Sequence, residues 1–141
     1  MRATFEAVQP DNLRRAWGFV RPALESMERS DGWLPEDVYM CLRSNGATLY
    51  MVYDPTGQQA GFFILRLLPE FDGLRLHIWI LHATDAEFDV MAEFGDDLDT
   101  LARQSNARRV TFSSPRNGWG KVGPRYGFHA RETVYEREVT Q

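Results

Sequence analysis

One histidine in the middle of the chain, His77, carries the side chain best suited to acid–base chemistry. An imidazole titrates near neutral pH, so it can accept a proton from an ammonium group under ordinary conditions. A histidine among apolar neighbours on a strand is also commonly a packed or half-exposed sheet residue, and this alternative stays open. The other histidines, His82 and His129, and the single cysteine, Cys41, show no metal-ligand spacing, so the sequence predicts no metal site.

A second group of candidate functional residues lies near the end of the chain, where basic side chains are interleaved with an aromatic ring and glycines. Arg116, Asn117, Lys121 and Arg125 surround Trp119 in the sequence. Arginine forks suit phosphates and carboxylates, and an indole offers a stacking face, so the segment could hold a nucleotide or an acidic protein surface. The alternative is an ordinary solvated face in which Trp119 anchors the packing and Asn117 forms a turn.

Length and composition predict one domain that spans residues 1–141. The chain has 141 residues, of which 43% are hydrophobic and 13% aromatic, and this is enough to bury a core without disulfides or metals. The formal charge of −4 argues against a generic nucleic-acid binder. A lone cysteine is compatible with a reducing compartment, and no signal-peptide core or membrane-length apolar run is present. We therefore expect a soluble protein of the cytosol or of a particle, without a membrane partner.

The first half of the chain is predicted to form one strand followed by helices. Thr4–Val8 alternates as a strand, and Pro10-Asp11 is suited to cap a helix that begins near Leu13. Pro22 predicts a kink or break, with residues 21–28 as a separate helical segment. Residues 34–37 open another helix, which ends at Asn45-Gly46.

The second half is predicted to be rich in strands. The strands are expected at residues 47–53, 60–68, 74–83, 108–113 and 128–139, with a helix through Leu98, Leu101 and Ala102 and a short helix before Gly127-Phe128. By the two-residue period of a strand, His77 and Trp79 share one face of their strand, while Ile78 and Ile80 share the other. The element order is therefore β-αα-βββ-α-β-α-β.

Residues 98–128 resemble the carboxy-terminal half of the GCN5-related N-acetyltransferase (GNAT) superfamily. The shared frame is a helix ending in Ala102-Arg103, a strand, a short crossover helix and the Gly127-Phe128 closure. The resemblance implies an α/β (α+β) fold with a mixed, mostly antiparallel central sheet flanked by helices. It also implies acetyl-CoA or another acyl-CoA as cofactor and an amine as substrate. The implied site residues are His77 as the base and, near the cofactor, Trp79, Asn117, Lys121 and Arg125.

The loop that binds the pyrophosphate of coenzyme A in this family departs from the family pattern. Family members place glycines there, so that bare backbone N–H groups and a helix amino terminus surround the pyrophosphate. Residues 83–91 contain no glycine and three carboxylates, Asp85, Glu87 and Asp89. Such carboxylates satisfy the helix dipole and repel a phosphate, so we expect weak or absent affinity for coenzyme A. Gly95 is assigned to the buried stripe of the following helix, where close packing explains it.

The tyrosine that protonates the departing thiolate in many family members is also missing. Its position four residues before the glycine of Gly127-Phe128 is occupied by Gly123, and Tyr126 is expected to point elsewhere. Positioned proton transfer contributes roughly 10²- to 10⁴-fold to rate, so its loss weakens the case for catalysis.

Two functions remain open from the sequence. One is a working N-acyltransferase that moves an acyl group from acyl-CoA to an amine. The other is a divergent GNAT-like protein of the kind encoded by tailed bacteriophages, a virion or accessory component that binds a protein partner or assembles with itself. The large rings Trp17, Trp33, Trp79, Trp119 and Phe71 favour the second, because they exceed the obvious needs of one small core.

Overall fold

A computed structural model of the chain describes residues 2–29, 31–85, 88–114 and 118–140. Within these ranges the elements follow the order β-αα-βββ-α-β-α. The strands are β1 (Thr4–Val8), β2 (Thr48–Tyr53), β3 (Gln59–Glu70), β4 (Gly73–Ala83) and β5 (Ala107–Phe112). The helices are α1 (Leu13–Glu25), which follows a 3₁₀ turn at Pro10–Asn12, α2 (Pro35–Arg43), α3 (Val90–Gln104) and α4 (Trp119–Val122).

The five strands form one mixed sheet in the order β1-β2-β3-β4-β5. The first four are antiparallel neighbours, and β5 is parallel to β4 because α3 carries the chain across the sheet between them. A two-residue turn at Phe71 and Asp72 joins β3 to β4, and Gly73 adopts the positive φ of 141° that closes it. The predicted mixed, mostly antiparallel sheet flanked by helices is confirmed.

Helices cover both faces of the sheet, and each face has its own buried cluster. On one face α3 contributes Phe94 and Leu98, which pack with Phe63 of β3. On the other face α1 and α2 contribute Val20 and Val38. These side chains are almost completely buried, so the apolar stripe of each helix fixes its position on the sheet.

The predicted break at Pro22 is wrong, because α1 continues through it to Glu25. Proline has no N–H, so the carbonyl of Gly18 one turn earlier loses its helical partner. Both residues are on the exposed side of α1, where water can reach that carbonyl. Val20 and Leu24 on the opposite side are fully buried, and this packing outweighs one missing hydrogen bond.

The predicted last strand is also wrong: residues 128–140 have no regular secondary structure. Val134, Tyr135 and Val139 are 82%, 89% and 82% exposed. The residue types are typical of a strand, but a strand requires hydrogen bonds to a neighbouring edge, which the pattern alone does not supply.

The alternation expected along β4 is interrupted at Trp79. Ile64 pairs with Ile80 while the next residue, Leu65, pairs with Ile78, so Trp79 is an extra residue in a β-bulge. As a result Ile78 packs on the α3 face and Ile80 on the α1/α2 face. The prediction that these two isoleucines share a face is therefore wrong, since a bulge resets the two-residue period.

In the part of the chain that the structure describes, no helix is both long and apolar enough to cross a bilayer.

Candidate functional site

The end of the sheet beside Trp79 is open, because β4 and β5 part there. Their pairing stops at Ile78 and Phe112, whereas β4 continues alongside β3 as far as Ala83. Residues 79–83 therefore have no described strand on their β5 side. Unpaired N–H and C=O groups along such an edge can bind an extended ligand through backbone hydrogen bonds.

A side chain of this chain already occupies the amino terminus of α3 next to this opening. Asp89 caps the helix: its Oδ1 accepts a hydrogen bond from the backbone N–H of Ala92 at 3.1 Å. The hydroxyl of Tyr126 donates to Asp89 Oδ2 at 2.5 Å. A carboxylate therefore lies at the positive end of the helix dipole. Of the other predicted carboxylates in this loop, Asp85 is described, and Glu87 lies outside the described residues.

Tyr126 is thus used as a partner of Asp89. Its hydrogen bond to that carboxylate, together with burial, raises the pKa of the Tyr126 phenol. A phenol that holds its proton more tightly is a weaker acid, and the O–H of Tyr126 already donates a hydrogen bond to Asp89. Because of this contact, Tyr126 is poorly placed to protonate a departing thiolate.

Gly95 does not lie in the close contact that its sequence position suggests. It is partly exposed on α3, and a Cβ built there would meet nothing within 4 Å. Phe94 and Leu98 carry the buried stripe of the helix, so the packing explanation of this glycine is wrong.

His77, the predicted base, lies on β4 in a network of hydrogen-bond donors. Its Nδ1 is 2.9 Å from the hydroxyl of Thr111 on β5 and 3.3 Å from Nη1 of Arg75. Arg75 also donates to the Thr111 hydroxyl at 2.8 Å. Because a guanidinium can only donate, Nδ1 accepts, and we assign the proton of the neutral ring to Nε2.

The surroundings of His77 oppose its protonation. Burial, the charge of Arg75 and the charge of Arg66 on the facing position of β3 lower the pKa of His77 from 6.5 to about 4. The ring is therefore neutral at pH 7, yet its lone pair already faces two donors and its conjugate acid is disfavoured. These features make His77 a weak base for an ammonium substrate.

Trp79, a predicted cofactor contact, packs between two side chains of the chain. The guanidinium carbon of Arg66 lies 4.9 Å from the centre of its ring, and the ring of Trp33 packs edge-on at 6.4 Å. Trp17 packs on Tyr39, and Trp119 packs on Phe112, both edge-to-face. The tryptophans thus have partners within the chain, whereas Phe71 is fully exposed.

Two members of the predicted basic group are described. Lys121 on α4 and Arg125 in the following 3₁₀ turn, Gly123–Tyr126, are exposed. Asn117 and Arg116 lie outside the described residues. The ring of Trp119 packs on Phe112 and so joins α4 to β5, in agreement with its interpretation as a packing residue.

Arg66, Arg75 and Thr111 were not identified from the sequence, although it carries a signal for each of the two arginines. The turn at Phe71 and Asp72 sets the hairpin register, which places Arg66 directly opposite His77. Arg75 is two residues from His77 and shares its face. Thr111 could not be found in this way, because the parallel register of β5 depends on how α3 packs.

Comparison with known proteins identifies the architecture. No protein-family model and no curated protein matches the sequence. Among solved structures, a proposed acetyl transferase from Pyrococcus furiosus superposes with a TM-score of 0.72 at 13% identity, covering 97% of this chain and 99% of the other. This chain has the GNAT fold.

Two further GNAT structures show the same likeness. Ribosomal-protein-alanine N-acetyltransferase from Brucella melitensis biovar Abortus 2308 has a TM-score of 0.67 at 12% identity, with 99% of each chain covered. A predicted acetyltransferase from Clostridium acetobutylicum, solved with acetyl-CoA, has a TM-score of 0.67 at 14% identity, with 96% of each chain covered. At such identities the likeness concerns the fold alone.

Proposed function

We propose that this GNAT-fold protein has little or no affinity for acyl-CoA and acts by binding, as a virion or accessory component of the type encoded by bacteriophages. The observation that carries the proposal is the carboxylate of Asp89 at the amino terminus of α3, bonded to Ala92 and Tyr126.

The position of this carboxylate disfavours a pyrophosphate at the same helix end. Two like unit charges about 4 Å apart repel by about 4 kcal/mol at the effective dielectric of a protein surface. One helix terminus contributes about 0.3–1 kcal/mol of attraction to an anion. Repulsion is therefore the larger effect unless Asp89 moves or becomes protonated.

The environment of His77 supports the same proposal. The lowered pKa and the two donors at Nδ1 leave His77 poorly suited to take a proton from an amine. Binding to a protein partner is supported by exposed apolar side chains at the end of the β3–β4 hairpin and in the carboxy-terminal segment, where Phe71 and Tyr135 are accessible.

Calorimetric titration of the protein with acetyl-CoA tests the proposal. We expect no saturable heat up to about 1 mM ligand, which corresponds to less than about 4 kcal/mol of binding free energy. Binding in the micromolar range would contradict it, since the negative charge of Asp89 at this helix end is expected to repel the pyrophosphate.

An Asp89→Asn variant separates the charge of this residue from its capping role. Asparagine is also a good N-cap, so α3 keeps its terminus while the negative charge is removed. We expect acetyl-CoA to bind this variant at least about tenfold more tightly than the parent chain, a change of about 1.4 kcal/mol. Asp99→Asn, which removes an exposed charge from the same helix away from its amino terminus, is the matched control and should change nothing.

A working N-acyltransferase is the second candidate, and the open edge of β4 over residues 79–83 favours it, because an acyl-CoA arm could bind there. Release of free thiol from acetyl-CoA in the presence of a panel of amines would reveal such an activity. If it exists, His77→Ala should lower turnover by at least about tenfold, and an unchanged rate would exclude His77 from the mechanism.

A further inference from the structure

The α1/α2 face of the sheet carries a group of arginines for which the chain supplies too few carboxylates. In the described part of the chain, Arg75, Arg109 and Arg131 all approach one carboxylate, Glu70. Arg109 also donates hydrogen bonds to both carboxylate oxygens of Asp72, at 2.8 and 2.6 Å. Glu70 is shared among three arginines, and the distance from its Oε2 to Nε of Arg75 is 3.7 Å, which is too long for a hydrogen bond.

Arg66 completes the group and has no carboxylate partner among the described residues. Its Nε is inaccessible to solvent and makes no hydrogen bond to them. The contact that the structure shows for its charge is the face of Trp79, at 4.9 Å. A cation–π contact of this kind contributes about 0.5–2 kcal/mol, and it leaves the buried Nε–H of Arg66 without an acceptor among the described residues.

These arginines converge on His77 from two strands. Arg66 faces His77 across the β3–β4 pair, and Arg75 lies on the same strand within 3.3 Å of its ring. A partly buried cation without a counter-charge is costly, because the protein does not replace the water it loses. Arg66 has no carboxylate partner among the described residues, and Arg75 has only a shared one at 3.7 Å. An added anion would supply a counter-charge to both and an acceptor to Arg66.

We propose that Arg66, Arg75 and His77 form a binding site for a small oxyanion, either a phosphate or a carboxylate group. A forked guanidinium binds two oxygens of such a group at once, and a neutral imidazole contributes one N–H donor. Trp79 borders the site and holds Arg66 in place. The anion site lies apart from Asp89 and the amino terminus of α3, the feature that carries the proposed function, so either proposal can fail while the other stands.

Nuclear magnetic resonance titration at pH 7 and constant ionic strength tests the site, with inorganic phosphate in one series and succinate in another. The reporters are the Nε–Hε signals of Arg66 and Arg75 and the imidazole signals of His77. We expect saturable shifts at all three residues with at least one of the two anions, and the tighter one identifies the group that the site prefers. Shifts that stay linear with both anions would overturn the proposal.

An Arg66→Met variant removes the charge and keeps an apolar stem against Trp79. We expect its dissociation constant for the preferred anion to rise at least about tenfold. The control Arg21→Met changes an arginine of α1 that pairs with Glu25 of α1 and Glu36 of α2, and it should change the constant less than about twofold. Equal losses in the two variants would show a general charge effect and refute the site. Arg75→Gln provides the same test if Arg66→Met does not fold, as judged by circular dichroism.

Discussion

At the scale of single residues, the chemistry of this chain is determined by what each polar side chain already contacts. His77 has the residue type of a base, but Thr111 and Arg75 occupy its accepting nitrogen. Asp89 has the residue type of a cap and acts as one. Tyr126 has the residue type of an acid, but its hydroxyl donates a hydrogen bond to Asp89.

The lowered pKa of His77 predicts a pH dependence of stability. Its value of about 4 in the folded chain lies below the ordinary 6.5, so between these pH values the unfolded chain binds a proton that the folded chain does not. The contribution of His77 is therefore complete above pH 6.5 and is lost as the pH falls towards 4. From pH 7 to pH 5 we expect the parent chain to lose about 1 kcal/mol more unfolding free energy than His77→Gln, after allowance for solvent screening.

Urea unfolding of both proteins at the two pH values measures this difference. Burial also lowers the pKa of His82, but that residue is present in both proteins and cancels in the comparison. Identical pH dependences would show that His77 ionises as freely in the folded chain as in the unfolded one.

At the scale of elements, one glycine of a strand and one of a helix have opposite roles. Gly61 of β3 is buried against β4, and a Cβ there would lie 2.2 Å from the backbone oxygen of His82. Around Gly95 on α3 there is open space. Glycine is thus required where two strands approach closely and is merely tolerated in the helix.

Alanine at these two positions should change stability in opposite directions. We expect Gly61→Ala to destabilise the chain by about 3 kcal/mol or to prevent folding, since the backbone of β4 would have to shift. Gly95→Ala should stabilise it by about 1 kcal/mol, the difference in helix propensity. Denaturant midpoints provide the measurement, and a stable Gly61→Ala protein would be inconsistent with the β3–β4 register.

The proline inside α1 provides another test at this scale. Pro22→Ala restores an N–H for the carbonyl of Gly18 and should raise the unfolding free energy by about 1–3 kcal/mol. The gain is limited because proline also restricts the unfolded chain. If the helix were broken into two segments in solution, the substitution would bring little or no gain.

At the scale of the whole molecule, stability resides in the sheet and the two clusters on its faces, and the carboxy-terminal segment contributes little. Beyond Arg131, which pairs with Glu70, the exposed Val134, Tyr135 and Val139 bury little area. We expect removal of residues 133–141 to shift the melting temperature by less than about 4 °C, which corresponds to less than about 1 kcal/mol.

Differential scanning calorimetry of the full and shortened chains gives this comparison, with fast amide exchange in residues 132–140 as an independent check. A large loss of stability would indicate that the segment forms its predicted strand in solution, paired with an edge such as β5.

Much of the fold was predictable from the sequence, because it depends on local periodicity. Helical spacing around Val20, Val38 and Leu98 specifies helices that the structure confirms. The contacts around the candidate sites were less predictable from the sequence. Arg66 opposite His77 follows from the hairpin register, whereas the pairing of Thr111 with His77 depends on a parallel crossover whose register no local pattern specifies.

The sequence by itself determined the order of the helices and strands up to α4 and the excess of carboxylates before α3. Tertiary structure alone decided that α1 continues through Pro22, that a bulge at Trp79 separates Ile78 from Ile80, and that residues 128–140 form no strand. The physical reason is the same in each case. A local pattern states what a segment can form, but burial and hydrogen-bonding partners come from segments distant in sequence, and these determine which of the possible structures is stable.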